Sequence, residues 1–254
     1  MRVLYQFPLS HFCEKVRWML DHKELEYVAH NLAPGVHRAF AKLKTGQYKL
    51  PILHDQQAWI ADSTEIALYL DRKYPEHVLL SSKLALREQA LALNHLSNDL
   101  GRHVRRWVLS HTLDTSEQSI DLLIGERGYL RQFEKYSKPL IKTLVVKGYR
   151  LDPDTVAASK QQLDLFIQQL NQRLIDHQGQ YLVGNCLGLA DIAICSMLAP
   201  LLAINGTPWE KEQDTHRSIL LQDYKAFLED LPLGQYVQRI YRDERNARVD
   251  WRGV

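Results

Sequence analysis

The rhythm of apolar and polar positions changes near residue 80. Before that point short apolar runs alternate with helical spacings. Val3 to Gln6 (VLYQ) is predicted as a strand, and Phe12, Val16, Met19 and Leu20 follow at i, i+4, i+7 and i+8, the stripe of an amphipathic helix lying on a sheet. Glu26 to His30 is predicted as a second strand, which makes a βαβ unit with parallel pairing across a helical crossover. A looser helical segment covers Pro34 to Leu43. Then PIL and AWI, separated by HDQQ, are predicted as a hairpin. Asp62, Ser63 and Thr64 can each cap a helix whose Ile66, Tyr69 and Leu70 face inward and which Tyr74-Pro75 closes. The order βαβα followed by ββα implies a small mixed sheet.

From Ser81 onward the spacing is helical only. Leu93, Leu96, Leu100 and Trp107 fall on one side of a long helix, and Leu163, Phe166, Ile167, Leu170 and Leu174 on one side of another. This predicts an all-helical bundle after a linker at Tyr74 to Lys83, dividing the chain into domains 1–80 and 84–254. Cys186 to Ile204 is nearly free of charge and long enough to span a bilayer. Asp191 and Pro200 lie within it, and an Asp at mid-span costs roughly 2.5 to 3.5 kcal/mol, so a helix buried in a soluble core is the expected form, with no membrane span.

Composition narrows the function classes. With 254 residues, 45 % hydrophobic, and a charge of 32 − 30 = +2, the chain is neither of the disordered class nor a globally basic nucleic-acid binder. Three cysteines, Cys13, Cys186 and Cys195, cannot all pair with one another, and MRVLYQFPLS has no secretory pattern; a reducing, cytoplasmic setting is expected. No Cys/His spacing suggests a metal site. The neutral total conceals a local excess: Arg127, Arg131, Lys135, Lys138 and Lys142 recur at helical spacing, as a solvated surface or an anion-binding face, although Gly128 and Pro139 are expected to break any single helix there.

The candidate chemistry lies in SHFCEKVRW, Ser10 to Trp18, directly after the first strand. Ser10 can cap a helix, and a group placed before it meets unpaired N–H groups and the positive end of the helix dipole, which stabilise an anion such as a thiolate. A strand, then S-x-x-C with a K-V-R continuation, then Leu50-Pro51, then Asp62-Ser63 opening a helix, resembles the thioredoxin-like domain of cytosolic glutathione transferases. GNCLGLADIAI is similar to the start of the central helix in that family's all-helical second domain. Ser10 takes the position of the serine of zeta- and theta-like members and of the cysteine of omega-like members and glutaredoxins. A tyrosine-type site built on Tyr5 is the less favoured variant.

The resemblance implies a thioredoxin-like βαβαββα domain plus a helical bundle. It implies glutathione as co-substrate, no metal, a small-molecule electrophile, a homodimer and a detoxifying transferase. On it, Ser10 donates to the glutathione sulfur, while Leu50, before a cis Pro51, offers its backbone to the cysteinyl part. Asp62 and Ser63 hold the γ-glutamyl end, and a cation among His37, Arg38 and Lys49 meets the glycyl carboxylate. The electrophile would lie between the domains, with Phe7, Pro8, His11, Arg102, His103, Arg106 and Trp107 as candidate lining. Cys13, in the first helical turn, is either a packing residue or a second catalytic thiol with a lowered pKa, able to form a mixed disulfide with glutathione. Asp191 is expected to serve folding, with Gly188 where the family usually has a capping hydroxyl. The rival functions are a non-catalytic ligand carrier or regulator, a glutathione-dependent isomerase or dehalogenase, and a Cys13-based thiol transferase.

Overall fold

The computed structural model describes residues 1–112, 134–176, 179–210 and 218–254, with side chains between 134 and 141 left aside. It separates into two compact units. Of the described residues, the first holds Met1–His77, 134–149 and Asn246–Val254; the second holds 78–112 and those within Arg150–Arg245.

The first unit has strands β1 (Val3–Gln6), β2 (Val28–Asn31), β3 (Ile52–Asp55) and β4 (Ala58–Ala61), with helices α1 (His11–His22), α2 (Val36–Thr45) and α3 (Ser63–Lys73). The sheet order is β2-β1-β3-β4, parallel between β1 and β2 and antiparallel elsewhere. Of the predicted α1 stripe, Val16, Met19 and Leu20 are buried, and Phe12 is half-buried at the end. The second strand starts two residues later than its spacing suggested, at Val28.

Residues 251–254 close the free edge of β2. Val254 N donates to Ala29 O and Asn31 N donates to Val254 O, each at 2.8 Å, so the edge is paired as a further strand would pair it. Gly253 makes this approach possible: its φ is +62°, and a Cβ there would lie 2.5 Å from Ala29 O. The expected domain 84–254 thus gives its last residues to the other unit.

The second unit holds helices α4 (Leu84–Thr112), α6 (Pro153–Asp176), α7 (Leu189–Leu202), α8 (Ile219–Glu229) and α9 (Pro232–Glu244). Helix α5 (Glu134–Tyr149) precedes α6 in the chain and passes through Pro139, so the expected break there is absent. Arg127 and Arg131 of the cationic series lie outside the described residues, as do the side chains of Lys135 and Lys138.

The apolar segment read as a possible span is α7, buried along its whole length and packed chiefly against α4. Among the described residues no helix is long and apolar enough to cross a membrane. The buried face of α4 differs from the predicted one. It runs through Leu93, Asn94, Ser97, Leu100 and Val104, leaving Leu96 and Trp107 half-exposed. Ser97 tolerates this because its hydroxyl donates to Asn94 O at 2.7 Å within the helix, so no polar group is stranded.

Candidate functional site

Strand register brings three of the predicted segments to one end of the sheet. Tyr5 pairs with Ile52, and Ile52 pairs with Ala61. One step further along each strand lie the exit of β1 towards Ser10, Pro51 and Asp62. The Leu50-Pro51 peptide bond is cis.

The loop from β1 to α1 is a tight turn in which Ser10 N donates to Phe7 O at 3.1 Å. Ser10 caps α1: its Oγ accepts from Cys13 N at 3.4 Å, while its carbonyl accepts from Glu14 N at 2.8 Å. A buried guanidinium holds the turn from behind. Arg17 pairs with Glu14 at 2.9 Å, donates to Gln6 Oε1, and donates to Pro8 O at 3.3 Å. Gln6 Nε2 in turn donates to Trp251 O at 2.9 Å and to Asn31 Oδ1 at 3.1 Å, so the 251–254 segment and the Ser10 turn share one polar network.

Cys13 differs from the expectation of a lowered pKa. It is fully buried, and burial pushes its thiol up, against the pull of the Ser10 hydrogen bond and the Arg17 charge. First-turn position alone does not activate a thiol that lies in the apolar core rather than before the helix.

At the start of α3, Asp62 stands at φ +75°, which is unusual for a residue with a side chain. Its Oδ1 accepts from Thr64 N at 2.7 Å, and the residue is exposed. Ser63 is buried, and its Oγ accepts from Lys15 Nζ at 3.3 Å. Lys15 is itself wholly buried, and burial brings its ammonium down to about 7 against the pull of Asp62. Sequence reasoning missed Lys15, although a signal exists: with Phe12, Val16 and Met19 it completes the i, i+3, i+4, i+7 stripe of α1, a lysine where an apolar residue is expected.

The remaining candidates are spread out. Tyr5 packs on Phe40 and Trp59, with ring centroids 4.6 and 5.6 Å away, as part of an aromatic layer on the sheet. Phe7 meets the His37 ring edge-on at 4.8 Å, and burial lowers the His37 pKa. Arg38 lies over the Tyr48 ring, while Lys49 is exposed and its backbone is held by the Gln47 side chain. His11 is buried against Phe12. In the second unit Arg106 donates to Ser159 Oγ at 2.6 Å. Burial and the neighbouring Arg106 lower the His103 pKa, and Trp107 packs on His111. Among the described residues no group of three or more His, Cys, Asp or Glu is placed to hold a metal ion.

Asp191 opens α7. Its carboxylate accepts from Leu182 N at 2.7 Å, Gly188 N at 2.9 Å and the Tyr236 hydroxyl, closing a capping box around Gly188 without a capping hydroxyl.

Comparison with known proteins places the chain. The sequence profile of the glutathione S-transferase N-terminal domain matches residues 4–77. Glutathione S-transferase 1 of Dianthus caryophyllus is 30 % identical over 199 residues, spanning 77 % of this chain and 75 % of the relative. A solved glutathione S-transferase from Rhodospirillum rubrum shares the fold at a TM-score of 0.59 and 19 % identity, covering 98 % of this chain and 96 % of its own. Another, from Methylobacterium radiotolerans in complex with glutathione sulfonate, has a TM-score of 0.57 and 17 % identity over 93 % of this chain and 94 % of its own. By sequence and by architecture, this chain belongs to the glutathione S-transferase family.

Proposed function

We propose that the first unit binds glutathione and that Ser10 stabilises its thiolate for attack on an electrophilic carbon or a peroxide. The observation that carries this is the register, which sets the Ser10 turn, the cis Leu50-Pro51 bond and the Asp62-Ser63 cap at one end of the sheet. Glutathione lies along that end like an added strand, its cysteinyl part on the Leu50 backbone. Its γ-glutamyl carboxylate meets Ser63 at the α3 N-terminus and its ammonium meets Asp62. In conjugation the thiolate lone pair forms the carbon–sulfur bond while the leaving group takes the bonding pair; with a peroxide the thiolate takes one oxygen as the O–O bond breaks and the alcohol leaves, and a second glutathione then displaces water to give the disulfide.

The energetics are sufficient. A thiol near pKa 8.5 needs about two units of lowering to be mostly ionised at neutral pH, roughly 2.7 kcal/mol. A hydroxyl donating to a thiolate supplies about 1.5 to 3 kcal/mol, and the helix terminus about 0.3 to 1. A small-molecule electrophile, a homodimer and a cytoplasmic setting belong to the same reading. Cys13-based thiol transfer stands behind it, because that thiol is buried and pushed up.

Ser10→Ala is expected to lower kcat/KM by about ten- to a hundredfold and to move the apparent pKa of the bound thiol up by about one to two units. The pH–rate profile reads this directly. An unchanged profile overturns the role of Ser10, and loss of turnover in Cys13→Ser alone would put the cysteine in its place.

A further inference from the structure

Lys15, the single lysine of α1, has its chain and ammonium both out of solvent, and an ammonium there needs charge compensation. From α3 it is faced by the Asp62 carboxylate and the Ser63 hydroxyl. On its own helix the neighbouring charges Glu14 and Arg17 pair with each other at 2.9 Å. Asp62 is exposed and spends one oxygen on Thr64 N.

On the reading that glutathione binds here, we propose that Lys15 positions the γ-glutamyl end. By donating to Ser63 Oγ, it turns the Ser63 hydroxyl hydrogen towards the incoming carboxylate and balances that carboxylate from inside the domain. A serine oxygen that accepts from an amine keeps its own proton to give away, and the receiver is the ligand. The arriving carboxylate adds a second negative charge near the amine and favours its protonated form. Since Lys15 stands near 7 without ligand, binding above that pH draws a proton from solvent onto Nζ. The linkage has a definite sign: affinity for the γ-glutamyl group weakens as pH rises from 7 towards 8.5, apart from any titration of the thiol.

The test is calorimetry with S-methylglutathione, whose sulfur cannot ionise, at pH 7.5 in two buffers of different ionisation enthalpy. Wild type is expected to take up about half a proton or more on binding. Lys15→Arg, charged at every pH used, is expected to bind within about threefold of wild type and to lose the uptake. Lys15→Met, which fills the same space without charge, is expected to bind roughly tenfold more weakly, also without uptake; it serves as the second variant if the bulkier arginine does not fold. Binding by wild type with no proton uptake, or uptake that persists in the folded variants, overturns the role of Lys15 while leaving glutathione binding intact. Failure of folded wild type to bind S-methylglutathione overturns the glutathione reading itself and this inference with it.

Discussion

Asp191 and Asp62 both serve helix starts among the described residues, and their surroundings set them apart. Asp191, in the second unit, is fully buried, and its carboxylate oxygens are taken by Leu182 N, Gly188 N and Tyr236. Asp62, in the first unit, is exposed, gives one oxygen to Thr64 N and sits at a positive φ. Burial pushes the Asp191 carboxyl up, while three donors hold it against that tendency. A cap whose acceptors are all used internally belongs to the fold. A cap that keeps an oxygen towards solvent, beside a buried serine and lysine, has bonding capacity left for a ligand.

The comparison breaks first on stability. Asp191→Ala strands the buried Leu182 N–H, the part-buried Gly188 N–H and the buried Tyr236 hydroxyl, each worth about 1 to 3 kcal/mol when left unpaired, so a loss of about 3 kcal/mol or more is expected in urea unfolding. A loss below about 1 kcal/mol would show that these bonds do not hold the second unit together.

Asp62→Asn sharpens the contrast with a smaller effect. Asparagine caps as well as aspartate and tolerates positive φ, so the cap survives and the fold loses only the Asp62 attraction for Lys15, a drop of about 1 kcal/mol or less in unfolding free energy. On the proposed reading the charge removed is the one opposite the glutathione ammonium, and Kd for glutathione is expected to rise about five- to tenfold, or about 1 to 1.4 kcal/mol. Unchanged affinity would make Asp62 a folding cap like Asp191 and remove it from the site.

How much of this was legible in the sequence follows from what each residue does locally. Ser10 and Asp62 were readable because capping is a short-range bond between a side chain and an amide two or three positions away, and both bonds form. The α/β order was readable because periods of 2 and 3.6 differ plainly over ten residues. Lys15 was legible only in part: its place in the apolar stripe of α1 marks it as facing inward, but its hydrogen-bond partner Ser63 lies 48 positions along the chain and no local rule points to it. Arg17 is the same case: its partners Gln6 and Pro8 come from the preceding strand and turn, and only the folded turn makes them acceptors. The face of α4 was misjudged around Asn94 and Ser97 because a polar residue that satisfies itself within its helix can be buried at little cost. The closure of the sheet edge by residues 251–254 carries no periodic signature over four residues, and what makes it is backbone bonds and the approach that Gly253 permits.

The finest division of caps is between two serines. Ser218 accepts from Leu221 N at 3.3 Å at the start of α8, nearly the bond that Ser10 makes to Cys13 N at 3.4 Å. As caps the two should be worth the same, so Ser218→Ala and Ser10→Ala are each expected to cost about 1 kcal/mol of unfolding free energy. Their difference lies in what the hydroxyl proton meets: Ser10 follows the sheet end that Pro51 and Asp62 share, the proposed glutathione site, and Ser218 lies at the start of α8. Ser218→Ala should therefore keep kcat/KM within about twofold while Ser10→Ala loses it. Equal losses of activity in the two variants would mean that weakening a helix start is enough to impair turnover, and the donor role of Ser10 would lose its support.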